Sequence, residues 1–296
     1  MRFNYVLLWG FILFGGVLIS CDKDDEDLSK SSLVLEVEGL ENLGDDYVYE
    51  GWIEVDGEMV SVGTFTIDDQ GGMSKTMFKM DIEVLEKATS FLLSIEPESG
   101  SGDVPSETRI LAGNFSDSEA RLSMSHGNAI GTDLTSATGK YILATPTDGN
   151  SSSNENSGVW WIDPNNGPGR GLNLPELPEG WKYEGWAIVN GIPLSTGKFR
   201  SVVRADESDK YSETAAPGFD FPGEDFLVNA PSGVNFPLNL AGQTVAITVE
   251  PDPDNSDSPF LITPLTGKIP DPAESHVLYD MTNSIKSSTP SGKARR

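Results

Sequence analysis

The sequence predicts an all-β protein built as two tandem β-sandwich-like domains that arise from an internal duplication. Three observations carry that expectation. The string YEGW occurs twice, at Tyr49 to Trp52 and at Tyr183 to Trp186. Each copy lies in an alternating run that ends at a dipeptide suited to a two-residue hairpin turn, Asp56-Gly57 or Asn190-Gly191. Helical periodicity is scarce, and only Asp81 to Lys87 has room for a turn or two.

Residues 1–20, MRFNYVLLWGFILFGGVLIS, combine one arginine with an apolar run and read as a signal peptide, outside the folded part. A retained membrane span needs about 20 apolar residues, which this run barely reaches. Leu18-Ile19-Ser20-Cys21 resembles a bacterial lipobox, which makes Cys21 the lipid attachment site. Each buried methylene contributes about 0.8 kcal/mol, so the acylated chain is expected to stay on a membrane.

Residues 21–32 form an acidic tether. Within it Lys23, Asp24 and Asp25 follow the cysteine as Cys-x-Lys-Asp-Asp, which resembles the lipoprotein export signal of Bacteroidetes. That resemblance implies an outer-membrane lipoprotein displayed on the cell surface, with the periplasmic face as the alternative.

Composition narrows the partners. Over 296 residues, Lys and Arg number 20 against 46 Asp and Glu, a net charge of −26. Such a chain repels nucleic acid phosphates and anionic headgroups. Contact with the membrane is therefore expected through the N-terminal lipid, the partner being an unidentified envelope protein or extracellular ligand. Cys21 is the single cysteine, so neither a disulfide framework nor a thiolate zinc site is expected.

The two YEGW runs extend into a longer correspondence. Tyr47, Tyr49, Gly51, Ile53 and Val55 align with Trp181, Tyr183, Gly185, Ala187 and Val189, a period of two that predicts a half-buried strand. Return strands follow, containing Ser61-Val62-Gly63-Thr64-Phe65 and Ser195-Thr196-Gly197-Lys198-Phe199. Further on, Ser94-Ile95-Glu96-Pro97 matches Thr248-Val249-Glu250-Pro251, each leading through an acidic loop to a glycine, Gly113 or Gly267. The second copy carries an insert within Ala205 to Phe226, rich in charge and turn formers and expected at the surface. The expected organisation is a first β domain over 33–145, a connecting hairpin and linker over 146–171, a second β domain over 172–285 and a disordered tail over 286–296.

The order of YEGW strand, Asp-Gly or Asn-Gly hairpin, Ser-x-Gly-x-Phe return strand and Glu-Pro strand resembles the extracytoplasmic C-terminal domain of anti-sigma-K factors. The resemblance covers roughly 33–115 and 172–270. In that family a cytoplasmic helical domain holds the sigma factor, and a transmembrane helix joins it to the outer domain. Both are expected to be absent here, leaving an envelope interaction or sensing module.

Catalysis has little support. His126 and His276 are the only histidines, and neither lies in a metalloprotease string. Glu50, Glu96, Glu184 and Glu250 supply carboxylates for glycoside hydrolysis, yet they occupy equivalent points of both copies. A structural or interaction role for Tyr49, Glu50, Gly51, Trp52, Glu96, Tyr183, Glu184, Gly185, Trp186 and Glu250 is the expectation. GPGRG at 167–171 lacks the strand and helix of a phosphate loop. No cofactor is expected beyond weakly bound calcium, for which Asp252, Asp254 and Asp257 are the candidate ligands, with Asp220, Glu224 and Asp225 a second acidic group. Trp160 and Trp161 are the candidate glycan contacts, since adjacent strand residues face opposite ways and a ring left exposed can stack on a sugar. The alternative function is accordingly a surface glycan-binding lipoprotein of a polysaccharide-uptake system.

Overall fold

The computed structural model describes residues 30–100, 102–149, 153–165, 167–254 and 256–296. The expected signal peptide over 1–20, with Cys21, Lys23, Asp24 and Asp25, lies outside the described residues. No helix among the described residues is long and apolar enough to cross a membrane.

The first part of the chain supplies β1 (Lys30–Glu38), the first YEGW strand β2 (Tyr47–Val55), its return β3 (Glu58–Phe65), β4 (Met77–Asp81), helix α1 (Ile82–Lys87), β5 (Ser90–Pro97), β6 (Arg109–Ser116) and β7 (Glu119–Ser123). Next come β8 (Thr138–Leu143), β9 (Gly158–Trp160), β10 (Ile162–Asp163), β11 (Gly169–Arg170) and β12 (Leu172–Asn173). The second YEGW strand is β13 (Trp181–Val189), followed by β14 (Ile192–Phe199), β15 (Gly223–Asp225), β16 (Thr244–Pro251), β17 (Leu265–Lys268), β18 (Tyr279–Asp280), β19 (Thr282–Asn283) and β20 (Ser291–Arg295).

These strands make antiparallel sheets. The largest has eight strands in the order β3-β2-β5-β6-β7-β20-β1-β4 and curls until its edge strands β3 and β4 approach each other. A five-stranded sheet, β14-β13-β16-β17-β19, holds the second YEGW strand. A third sheet is formed by β12-β8-β9-β15, with β18 also paired to β8. The all-β class is therefore observed, with one short helix. Asp81 caps that helix by accepting the Glu83 amide at 2.8 Å.

The division into separate domains differs from the expectation. Residues 286–296 are ordered: β20 lies between β1 and β7, with Val34 opposite Arg295 and Ser123 opposite Ser291. Pairing of this strand is a main-chain interaction, and among its side chains only Ala294 is buried, so a polar sequence suffices. Arg295 adds ion pairs to Glu36 at 2.7 Å and Glu119 at 3.1 Å. Arg296 then donates to the carbonyls of Leu85 and Ala88 at 2.6 Å, at the C-terminal end of α1 where Leu85 O also accepts the Ala88 amide, while its guanidinium lies over Phe115. The 145/146 boundary also falls just past β8, whose partners β9, β12 and β18 all lie beyond it. One apolar core runs from Leu33 through Tyr141 and Trp181 to Ala294.

The YEGW strands are buried on both faces, where a half-buried strand was expected. Tyr49, Glu50, Gly51, Trp52 and Ile53 are all inaccessible, as are Tyr183, Glu184, Gly185, Trp186 and Ala187. The face away from the main core is covered in the first copy by a separate cluster of Trp52, Leu92, Ala112 and Ala129.

Candidate functional site

Both YEGW segments build the same arrangement of side chains. Asp56 and Gly57 adopt φ of 54° and 85°, and Asn190 and Gly191 adopt 51° and 86°, the left-handed pair that a type I′ hairpin needs. A bulge follows in each return strand, which leaves Val62 or Thr196 over the motif glycine. A Cβ on Gly51 would stand 2.6 Å from Val62 Cγ2 and 2.9 Å from Phe91. One on Gly185 would stand 2.2 Å from Thr196 Oγ1 and 2.6 Å from the indole nitrogen of Trp161.

The polar side chains run in parallel too. Tyr49 donates to the Glu41 carbonyl at 3.0 Å, and Tyr183 to the Pro175 carbonyl at 2.8 Å, each eight residues back. Trp52 Nε1 donates to Ser94 Oγ at 2.9 Å, and Ser94 donates to Glu96 at 2.5 Å. Trp186 Nε1 donates to Thr248 Oγ1 at 2.8 Å, and Thr248 donates to Glu250. Each glutamate also receives a loop amide nine residues after its proline: Ser106 N reaches Glu96 at 2.8 Å, and Phe260 N reaches Glu250 at 3.0 Å. Ser61 donates to Glu50 and Ser195 to Glu184. These bonds explain the spacing of tryptophan, hydroxyl and glutamate: the indole reaches a hydroxyl on the paired strand, and that hydroxyl reaches the glutamate two residues on in its own strand.

The copies diverge in charge. In the second, Glu184, Glu250 and Asp254 bring carboxylate oxygens within 4.8 Å of one another. Burial pushes the Glu184 carboxyl up to about 7, against the lowering effect of the Ser195 hydrogen bond and Lys198. Burial likewise pushes Glu250 up to about 8, with Glu184 and Asp254 adding to the rise. Lys198 Nζ lies 2.9 Å from Asp254 Oδ2. The position matching Lys198 in the first copy is Thr64, opposite Glu50 in the ladder, and the position three residues past the Glu-Pro pair is Gly100 where the second copy has Asp254.

A cavity of about 280 Å³ opens beside this cluster, with Glu250, Asp254 and Phe260 on one wall and Glu41, Leu43 and Tyr47 on the other. Glu41 bridges the two parts of the chain by accepting the Leu261 amide at 2.7 Å. Burial raises its carboxyl to about 7.

The expected calcium ligands do not converge. Asp252 faces Lys182 at 3.3 Å and Arg200 at 3.5 Å, and Asp257 is exposed, leaving Asp254 in the carboxylate group just described. Glu184 and Glu250 were legible as repeat residues, but their meeting with Asp254 depends on loop closure across β13 and β16. In the second acidic group, Glu224 and Asp225 are fully buried. Asp225 accepts the Trp160 indole at 2.7 Å and the Thr147 amide at 2.8 Å.

Neither candidate glycan contact is exposed. Trp161 is fully buried over Gly185 and donates to Thr196 at 3.1 Å. Trp160 points the other way and is only 4% exposed, because the insert folds over it. Phe219 meets its ring edge-on at 5.2 Å, and the backbones of Gly218 and Gly223 lie against the indole. The insert was legible as a loop, but its role as a cover was not. His276 lies 3.2 Å from Glu155 on a half-open surface, away from the carboxylate cluster.

No curated protein and no solved structure matches the chain. A family match covers β1 to β5, the part that contains the first YEGW motif. Residues 26–109 match the family model described as Anti-sigma-K factor rskA, C-terminal, so this part of the chain is similar to that domain.

Proposed function

We propose that the protein is a lipid-anchored, non-catalytic interaction or sensing module of the cell envelope, displayed on the outer membrane. The observation that carries this reading is the family match over residues 26–109. The apolar run ending in Leu18-Ile19-Ser20-Cys21 supports the anchor, and the Lys23-Asp24-Asp25 string supports surface display. The two copies share turn, bulge and buried hydrogen bonds at equivalent positions, which favours descent from one duplicated unit over chance recurrence of four letters. A strongly acidic surface points to a cationic or neutral partner and away from nucleic acid.

Protease shaving of intact producing cells tests this reading. The parent protein is expected to be digested, the variant with Lys23, Asp24 and Asp25 all changed to Ala to be protected, and Cys21→Ala to be released from the membrane fraction. A parent protected on intact cells would rule out surface display, and a Cys21→Ala variant still held in the membrane would rule out the lipid anchor. Chemical cross-linking in situ then identifies the partner, expected to be an envelope protein or an extracellular ligand.

A further inference from the structure

The carboxylates of the second YEGW copy differ from the network around them in what they leave unmatched. Ser195 binds Glu184 through Oε1, while Glu184 Oε2 is buried and has no hydrogen-bond donor among the described residues. With the whole residue only 4% exposed, that oxygen is out of reach of bulk water. Glu250 and Asp254 place their own oxygens within 4.8 Å, and the cavity at Glu250 and Asp254 gives a path to the outside. Lys198 is the cation at the cluster, bonded to Asp254 Oδ2 at 2.9 Å and to the Asp254 carbonyl at 3.3 Å. One ammonium against the oxygens of three acidic side chains leaves a surplus of acceptors once those side chains are ionised.

We propose that Glu184, Glu250 and Asp254 form a binding site for a hard divalent cation of the calcium class, for which the Lys198 ammonium is a tethered competitor. Oxygen-only ligands select a hard ion. Calcium takes 6 to 8 oxygens in flexible geometry and accepts bidentate carboxylates, whereas magnesium requires a near-ideal octahedron. Three carboxylates and water entering from the cavity suit the first ion better. Lys198 holds Asp254 in place without the metal and leaves it when the metal binds. The first copy is an internal control, because Thr64 and Gly100 stand where the second has Lys198 and Asp254. Glu50 Oε2 also lacks a donor there, so the unmatched oxygen belongs to the motif and the third carboxylate is what makes the second copy a site.

The experiment is calorimetric titration of calcium chloride into chelator-treated full-length protein, with Lys198→Met, Asp254→Asn, Glu184→Gln and Glu50→Gln beside the parent. The expected result is saturable binding at one ion per chain, tightened about tenfold in Lys198→Met because a competing charge a few ångströms away is gone. Asp254→Asn and Glu184→Gln are expected to lose it, with Glu50→Gln unchanged. A gain in affinity on removing Lys198 cannot arise from damage to the fold, so it separates a site from a structural cluster. Absence of saturable binding in both parent and Lys198→Met would overturn the proposal, as would binding that survives Asp254→Asn and Glu184→Gln undiminished.

Discussion

Gly185 shows how little of a residue's role is written in its own letter. Its missing side chain admits the Thr196 hydroxyl and the Trp161 indole, and Gly51 does the same for Val62 and Phe91. Adding one methyl at either place forces neighbours that are themselves packed to move, which typically costs about 1 to 3 kcal/mol. Gly185→Ala and Gly51→Ala are therefore expected to lower the urea midpoint. An unchanged midpoint would mean that the bulges relax freely.

Glu224 gives a second prediction at this scale. Its carboxyl is raised to about 8 by burial, against the lowering effect of the Ser212 and Tyr211 hydrogen bonds. In the unfolded chain the group ionises near 4.5. Between those values the folded protein keeps a proton that the unfolded chain has lost, so stability falls as pH rises from about 4.5 through about 8. The slope is on the order of 1 kcal/mol per pH unit for such a group. Glu224→Gln removes the titration and is expected to flatten the curve of stability against pH; an unaltered slope would reject this origin. Sequence alone marked Glu224 as acidic loop, because burial here comes from Tyr211, Ser212 and the strand pairing of β15 with β9, all of which depend on the folded insert.

Among the elements, the two hairpins were the most legible, since a type I′ turn is specified by two adjacent residues and needs no distant contact. Strand β20 was the least legible. Ser291 to Arg295 offers no apolar alternation, and it is held by ladders to β1 and β7 whose residues lie far away in sequence. Deleting residues 291–296 is expected to open the eight-stranded sheet at its middle, exposing the edges of β1 and β7 and removing the Arg296 bonds to α1. Unpaired edges recruit other strands, so the truncated protein is expected to be cleaved faster by protease and to self-associate. A truncated protein that stays monomeric and equally resistant would show that β20 is dispensable to the sheet. Burial of β2 and β13 on both faces was hidden for a related reason: alternation identifies one packed face and is silent about what covers the other.

At the scale of the whole molecule, the family match ends at residue 109 while the core continues through both YEGW copies. Main-chain contacts also join the parts, with Gly180 against Glu107 so closely that a Cβ would fall 2.4 Å from the Glu107 carbonyl. Calorimetric melting is accordingly expected to show one cooperative transition. Two well-separated transitions, each assignable to one YEGW copy, would argue for independent domains. The net charge of −26 predicts further that moderate salt raises the melting temperature by screening self-repulsion.

The place of β20 has a consequence for the order of events in the life of the chain. Val34 is among the first described residues and Arg295 among the last, yet they face each other across a ladder. The eight-stranded sheet therefore cannot close before residues 291–295 reach β1 and β7. Long-range pairing of this kind slows folding, because the chain entropy of a large loop is lost before the contact rewards it. The largest sheet is thus completed by strands that lie far apart in sequence, and its closure is a late event in folding rather than a local one.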